Sequence, residues 1–207
     1  MRLSNIESSP RGPKSVSIAV AGAFLTAYRE ANPSVDVDTL NVWDEQLPDF
    51  DSQAIGAKYK GVSREPMSEA EGAIWDRIQS LAQRFQEADR ILLGVPMWNF
   101  AYPYKLKQLI DLVCQRNMLF TFDGKAYGPM LNAQRAFVIY VRGQSDDVAF
   151  ATSNPGFDHQ TNYINFWLKF IGVSEVTAMT VEHTWDDQAQ ETIARGKKQA
   201  AERAANF

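Results

Sequence analysis

Two rhythms of apolar residues alternate along this chain. Ile91 to Val95 and Ala136 to Val141 are short, almost wholly apolar runs bounded by turn residues, as expected of strands covered on both faces of a parallel sheet. The stretch "SVDVDTLNVW" alternates apolar with polar and suits a strand nearer an edge. Val173 to Val181 is a fourth strand candidate, and the short Leu3 to Ile6 a fifth. The second rhythm is helical. Ala70, Ile74, Ile78, Leu81 and Phe85 recur at spacings of three and four, and Ser68 with Glu71 predicts a capping box in front of them. Ile18, Ala21, Phe24, Leu25 and Tyr28 predict the first helix. Leu106, Leu109, Ile110 and Val113 predict another, with Pro103 near its start. Tyr163, Phe166, Trp167, Phe170 and Ile171 predict a helix that Gly172 stops, and an alanine-rich helix from about Gln188 closes the chain.

Strands and helices in strict alternation imply an α/β fold with a parallel sheet, here of five strands, joined by right-handed crossovers. Ligands in such folds collect beyond the carboxyl ends of the strands, so the chemistry belongs in the loops after Ile6, Val95 and Val141. Three connections, about Asp44 to Pro66, Asn117 to Gln134 and Gly143 to Asp158, are long and rich in aromatic residues and glycines. Loops of that length are usually functional or form an interface. No repeat or low-complexity tract interrupts the pattern, and 207 residues suit one domain over 1–207.

Composition narrows the classes. A net charge of −4 argues against nucleic acid or an anionic membrane surface as the main partner. No apolar run approaches the roughly 20 residues of a membrane span, and nothing in the residues before Ser17 resembles the apolar region of a signal peptide, so none is expected. The single cysteine, Cys114, excludes an internal disulfide framework and suits a reducing compartment, so the expected location is the cytoplasm. It lies in or just past an apolar-patterned helix, which suits a core or interface thiol better than a nucleophile. His159 and His183 show no metal-ligand spacing with carboxylates, and no metal is expected. Asp49, Asp51, Asp186 and Asp187 read as turn or cap residues.

Three loops carry candidate chemistry. In "SSPRGPKSVS", the hydroxyls of Ser8, Ser9, Ser15 and Ser17, with Arg11 and Lys14, precede the first helix, whose free N–H groups and positive dipole end attract an anion. A phosphate fits there; the plainer alternative is that Ser15 or Ser17 only caps the helix. Neither GxxxxGK[ST] nor GxGxxG is present, which disfavours a triphosphate or a dinucleotide held in the usual way. In the second loop, Pro96 ends the strand, Asn99 offers amide donors and an acceptor, and Met97, Trp98 and Phe100 offer broad apolar faces. That mixture matches a flat heteroaromatic ring with a polar edge, or else a core aromatic cluster. The third loop, "YVRGQS", has Gly143, where backbone N–H groups come close to a ligand edge, between Arg142 and Gln144. Phosphate, ring face and ring edge together describe a mononucleotide site, with flavin mononucleotide (FMN) the natural candidate.

In this order, "SSPRGPKSVS", "PMWNFAYPYKLKQLIDLV", "RGQS" and "WLKFIGV" resemble the flavin-dependent NADH-azoreductase family, relatives of the NAD(P)H quinone reductases. The second motif is the specific one: a Pro-Met-aromatic-Asn-Phe loop, a proline and a Leu-Lys-x-x-x-Asp helix, kept here as Pro96, Met97, Asn99, Phe100, Pro103, Leu106, Lys107 and Asp111. The resemblance implies a flavodoxin-like three-layer sandwich. It implies that Ser9, Ser15, Val16 and Ser17 hold the FMN phosphate, that Pro96, Met97, Trp98, Asn99 and Phe100 line the ring, and that Arg142, Gly143 and Gln144 meet its pyrimidine side. Gln144 stands where the family has a second glycine. Trp98, Phe120, Phe122 and Tyr127 would form the substrate pocket, the aromatics beyond Trp98 often coming from the neighbouring subunit of a homodimer. NADH or NADPH would reduce the flavin, and quinones or azo compounds would reoxidise it in a two-electron ping-pong cycle. No catalytic side chain is required, because the flavin carries the hydride. The alternative is a flavodoxin-like electron carrier serving a protein partner, which the long aromatic loops disfavour.

Overall fold

The strand-like runs assemble as β1 (Arg2–Glu7), β2 (Asp36–Asn41), β3 (Arg90–Pro96), β6 (Gln134–Val141) and β7 (Val173–Val181) of a single sheet in a computed structural model, which describes residues 1–131, 134–145 and 156–207. All neighbours pair in parallel, in the order β2-β1-β3-β6-β7. The chain leaves β1 towards β2 and returns to the other side at β3, so the strand order reverses between β1 and β3. The stretch "SVDVDTLNVW" supplies the edge strand its alternation predicts. β1, despite its polar residues, lies one strand in from that edge; Leu3 and Ile6 are fully buried, and the Asn5 amide reaches the Thr39 hydroxyl on β2 at 3.3 Å.

Helices cover both faces. On one, α1 (Val16–Ala31) and α6 (Ala189–Ala204) pack against Leu92, Phe137 and Ile139. Phe24 stacks on Phe137 with centroids 4.9 Å apart and meets Phe207 edge-on at 5.4 Å. On the other face, α3 (Glu69–Gln86), α4 (Tyr104–Val113) and α5 (Asp158–Ile171) pack against Ile91, Leu93, Val95 and Val138. The period-2 alternation of β3 thus feeds two cores, which is why its run reads as continuously apolar.

The capping box forms: Ser68 Oγ accepts from the Glu71 N–H and Glu71 accepts from the Ser68 N–H. Lys60, with the Ser68 amide and hydroxyl, holds the Glu71 carboxyl down to about 2. Lys60 belongs to α2 (Ser52–Ser63), a helix within the connection read from sequence as a long loop. Its buried residues are only Ala54 and Ala57, so no apolar stripe marks it, while Asp51 accepts from the Gln53 and Ala54 N–H groups as its N-cap. The Asn117–Gln134 connection contains a short antiparallel hairpin, β4 (Phe120–Phe122) and β5 (Tyr127–Pro129). Residues 132–133 of that connection, and 146–155 of the one from Gly143 to Asp158, lie outside the described residues. Among the described residues, no helix is long and apolar enough to cross a membrane. Cys114 caps the end of α4, and burial pushes its thiol up to about 11, so it is a poor nucleophile.

Candidate functional site

The loop after β1 folds back on itself before α1 begins. Gly12, at φ +52, starts a single 3-10 turn that closes through Ser15 N–H to Gly12 O at 2.9 Å. Ser15 then caps α1, its Oγ accepting from the Ile18 N–H at 3.4 Å. The Ser15 and Ser17 hydroxyls lie 3.0 Å apart, and Ser9 Oγ accepts from the Arg11 N–H. Ser8 is turned the other way, donating to Gly94 O at 2.7 Å to tie the loop to β3. All four serines are buried. Ser9, Ser15 and Ser17 line a small recess of about 40 Å³ at the helix N-terminus, where the first N–H groups have no partner within the helix. The capping role read as the plainer alternative for Ser15 is real, and it coexists with the recess.

The loop after β3 is a tight hairpin. Trp98 and Ala101 exchange both backbone hydrogen bonds, at 2.8 and 3.0 Å, across Asn99 (φ 48) and Phe100 (φ 68). Two consecutive positive φ values are what a type I′ turn requires. Asparagine tolerates that region; phenylalanine does not, at a cost of about 1–2 kcal/mol. This strain presents the rings of Trp98 and Phe100 outward, both roughly 40% exposed, although each is large and apolar. Met97 N–H, donating to Val141 O at 2.7 Å, fixes the turn to the end of β6.

Arg142 follows β6, but its side chain points into the structure. Nε donates to Gln160 Oε1 at 2.9 Å, Nη1 to Glu182 Oε1 at 3.0 Å and Nη2 to Phe157 O at 3.4 Å, while the guanidinium lies 5.1 Å from the Phe157 ring centre. Gln160 in turn donates to Val95 O at 2.9 Å. One buried guanidinium therefore joins the ends of β6 and β7 to the start of α5, and through Gln160 to β3. Gly143 and Gln144 both keep negative φ, so a side chain at 144 is accommodated without strain. What Gly143 requires is space: a Cβ there would lie 3.2 Å from the Trp185 ring.

These loops enclose a cavity of about 660 Å³ lined by Met97, Trp98, Asn99, Phe100, Gly143 and Gln144, together with Arg11, Phe157 and Trp185. The serine recess adjoins it, the two sharing Arg11, Met97, Trp98, Gly143 and Trp185. Among the described residues, no acidic side chain lines either space, and Arg11 lines both. A cationic, hydroxyl-rich end thus opens into an apolar one with amide groups at its rim. Ser8 and Lys14 of the serine loop line neither space, whereas its Ser9, Arg11, Ser15, Val16 and Ser17, all of Pro96–Phe100 and all of Arg142–Gln144 lie here.

The other expected pocket residues do not. Phe120, Phe122 and Tyr127 line neither space of their own chain. The β4–β5 hairpin lies against α5, where Phe120 and Tyr127 meet Phe170 at 5.2 and 5.6 Å and Phe122 meets Tyr127 at 4.7 Å. Conversely, Phe157, Thr184 and Trp185 line the site without having been read from the sequence. The position of "HTW" one residue after the last strand, at the carboxyl edge of the sheet, was the available signal. His183, at φ 55, lies outside both spaces and its Nδ1 is 2.6 Å from Asp186 Oδ2. Among the described residues, no group of three or more His, Cys, Asp or Glu side chains is placed to hold a metal ion.

Comparison with known proteins gives the family and the fold. The family model described as "Flavodoxin-like fold" matches residues 1–204. FMN-dependent NADH:quinone oxidoreductase 2 of Burkholderia lata is 67% identical over 207 residues, covering 100% of both chains. FMN-dependent NADH:quinone oxidoreductase 3 of Pseudomonas fluorescens is 38% identical over 204 residues, covering 96% of this chain and 94% of that one. Among solved structures, an FMN-dependent NADH-azoreductase from Bacillus anthracis in complex with FMN superposes with a TM-score of 0.87 at 21% identity, covering 99% and 98% of the two chains, a likeness of fold. By its matched sequence and its fold, the chain belongs to the flavodoxin-like family of FMN-dependent NADH:quinone oxidoreductases.

Proposed function

We propose that this chain, one flavodoxin-like domain over residues 1–207, is an FMN-dependent NADH:quinone oxidoreductase that also reduces azo compounds in the cytoplasm. The observation that carries the reading is the continuity of two unlike spaces, a buried hydroxyl recess on a helix N-terminus and a cavity lined by aromatic rings. One terminal phosphate fits the first and a flat heteroaromatic ring the second. Ser9, Ser15 and Ser17, with the N–H groups of Val16 and Ser17, hold the phosphate. Pro96, Met97, Trp98, Asn99 and Phe100 line the ring, Asn99 bonding its polar edge, and the backbone of Arg142, Gly143 and Gln144 meets the pyrimidine side.

Bound FMN supplies the two-electron hydride chemistry, so the protein's part is to bind, orient and exclude water. Backbone N–H groups around Gly143 favour negative charge at the pyrimidine side. Trp98 and Phe100 leave one apolar slot for NADH and then for the acceptor, which implies a ping-pong order. Rates at varied NADH and several fixed quinone concentrations should give parallel lines; intersecting lines would reject the single slot.

Replacing both Ser15 and Ser17 with alanine should weaken FMN binding by about 1–3 kcal/mol, roughly 5- to 150-fold in Kd. Loss of the Ser15 cap costs about 1 kcal/mol of stability as well, so the titration is made where the variant is folded. Unchanged affinity would sink the phosphate assignment.

The exposed rings of Tyr127 and Phe166, next to Phe120 and Phe170, support a homodimer in which Phe120, Phe122 and Tyr127 complete the partner's substrate pocket. Light scattering at micromolar concentration should give twice the mass of the chain, and a monomer would contradict it. Activity sedimenting with membranes after cell fractionation would contradict the cytoplasmic location.

A further inference from the structure

Trp185 is 76% exposed, the most exposed large apolar side chain among the described residues, yet its backbone is hydrogen-bonded to the neighbouring loop. Its N–H donates to Gly143 O at 3.3 Å, and both the N–H and the hydroxyl of the preceding Thr184 donate to Arg142 O, at 3.3 and 2.8 Å. On its other side, His183 sits at φ 55 with Nδ1 2.6 Å from Asp186 Oδ2, and Asp186 Oδ1 accepts from the Gln188 N–H at 3.0 Å. A histidine at positive φ is strained backbone that the surrounding bonds must hold in place. The loop thus fixes an apolar ring where it is left open to solvent.

That place is the junction of the two spaces. Sheet order puts β3, β6 and β7 side by side, and their three loops form consecutive walls: the Trp98–Phe100 turn, the Arg142–Gln144 segment and Thr184–Trp185. The indole borders both the serine recess and the aromatic cavity, and it lies against Gly143, where any side chain would press on it. A ligand with its phosphate in the recess and its ring in the cavity passes this junction.

We propose that Trp185 is a cofactor-contacting residue, its indole packing on bound FMN and closing the β7 side of the site. This rests on the FMN reading given above. A ligand spanning the two spaces would cover the ring, and the hydrogen-bonded loop holds it in place, so little ordering remains for the binding step.

The test is FMN titration of the cofactor-free protein, followed by quenching of flavin fluorescence, for the wild type, Trp185→Ala and Trp185→Phe, with thermal unfolding of each cofactor-free form. Trp185→Ala should raise Kd about tenfold or more and leave the flavin less quenched, Trp185→Phe should recover most of the affinity, and the three unfolding temperatures without FMN should coincide. Wild-type Kd and quenching in Trp185→Ala would overturn the inference alone. So would an unfolding temperature several degrees lower without FMN, since the ring would then be a structural prop. A wild type that binds no FMN would overturn the functional reading, and this inference with it.

Discussion

Replacing Gly172 with alanine should destabilise the protein by about 4 kcal/mol or more, because backbone strain and steric overlap combine there. Gly172 ends α5 at φ +112, and a Cβ there would lie 2.0 Å from Leu131 O, 2.8 Å from Leu131 C and 2.9 Å from Pro129 Cβ. The segment cannot withdraw cheaply, because the N–H groups of Met130 and Leu131 both donate to Ile171 O, at 3.2 and 2.8 Å. For a chain of this size the melting temperature should fall by roughly 8–16 °C. Gly124→Ala is the control that separates the two causes: Gly124 is at φ +97 with nothing within 4 Å of its would-be Cβ, so it carries the conformational strain without the clash. Calorimetry should rank Gly172→Ala well below Gly124→Ala, and equal melting temperatures would show that the contact with Leu131 yields.

The second large effect is expected at Arg142. Arg142→Met keeps much of the aliphatic volume but removes the donors to Gln160, Glu182 and Phe157 O, leaving a carboxylate and two carbonyl oxygens without them. Breaking a buried pair in this way costs about 3–5 kcal/mol, and the partial exposure of Glu182 puts the expectation near 3. FMN affinity should fall as well, because Thr184 and Trp185 hang from the carbonyls of Arg142 and Gly143. Urea unfolding of Arg142→Met, with FMN titration of the folded fraction, measures both. A variant as stable as the wild type would remove Arg142 from its place as the joint between strand ends. A variant that lost stability but bound FMN unchanged would detach the joint from the site.

Arg142 also marks where sequence reading stops. Its position after a buried strand was legible, but the direction of its side chain depends on Gln160 and Glu182, 18 and 40 residues away along the chain. β3, β6, the Ser68 capping box and the Gly172 stop were legible because each is set by local pattern, whether a run, a cap or a residue suited to positive φ. α2 was not, because it packs through small residues: a Cβ on Gly61 would lie 2.2 Å from the Trp75 ring, and such contacts leave no apolar stripe. The serine loop and the Pro96–Phe100 turn were singled out because strand ends in this architecture are where ligands bind, and they line adjoining spaces. Phe120, Phe122 and Tyr127 were grouped with Trp98, whereas in their own chain Phe120 and Tyr127 pack on Phe170 of α5 and Phe122 on Tyr127. The same strand-end argument applied to β7 leads to Trp185, since "EHTW" follows that strand directly.

The central claim is that one site binds FMN and passes electrons from NADH to a quinone. The most direct measurement is the visible absorption spectrum of the FMN-reconstituted protein under anaerobic conditions, recorded after one equivalent of NADH and again after one equivalent of benzoquinone. The account predicts that the protein retains FMN through gel filtration, that NADH bleaches the oxidised flavin band, and that the quinone restores it. A protein that emerges without flavin, or a bound flavin that NADH leaves oxidised, would contradict it.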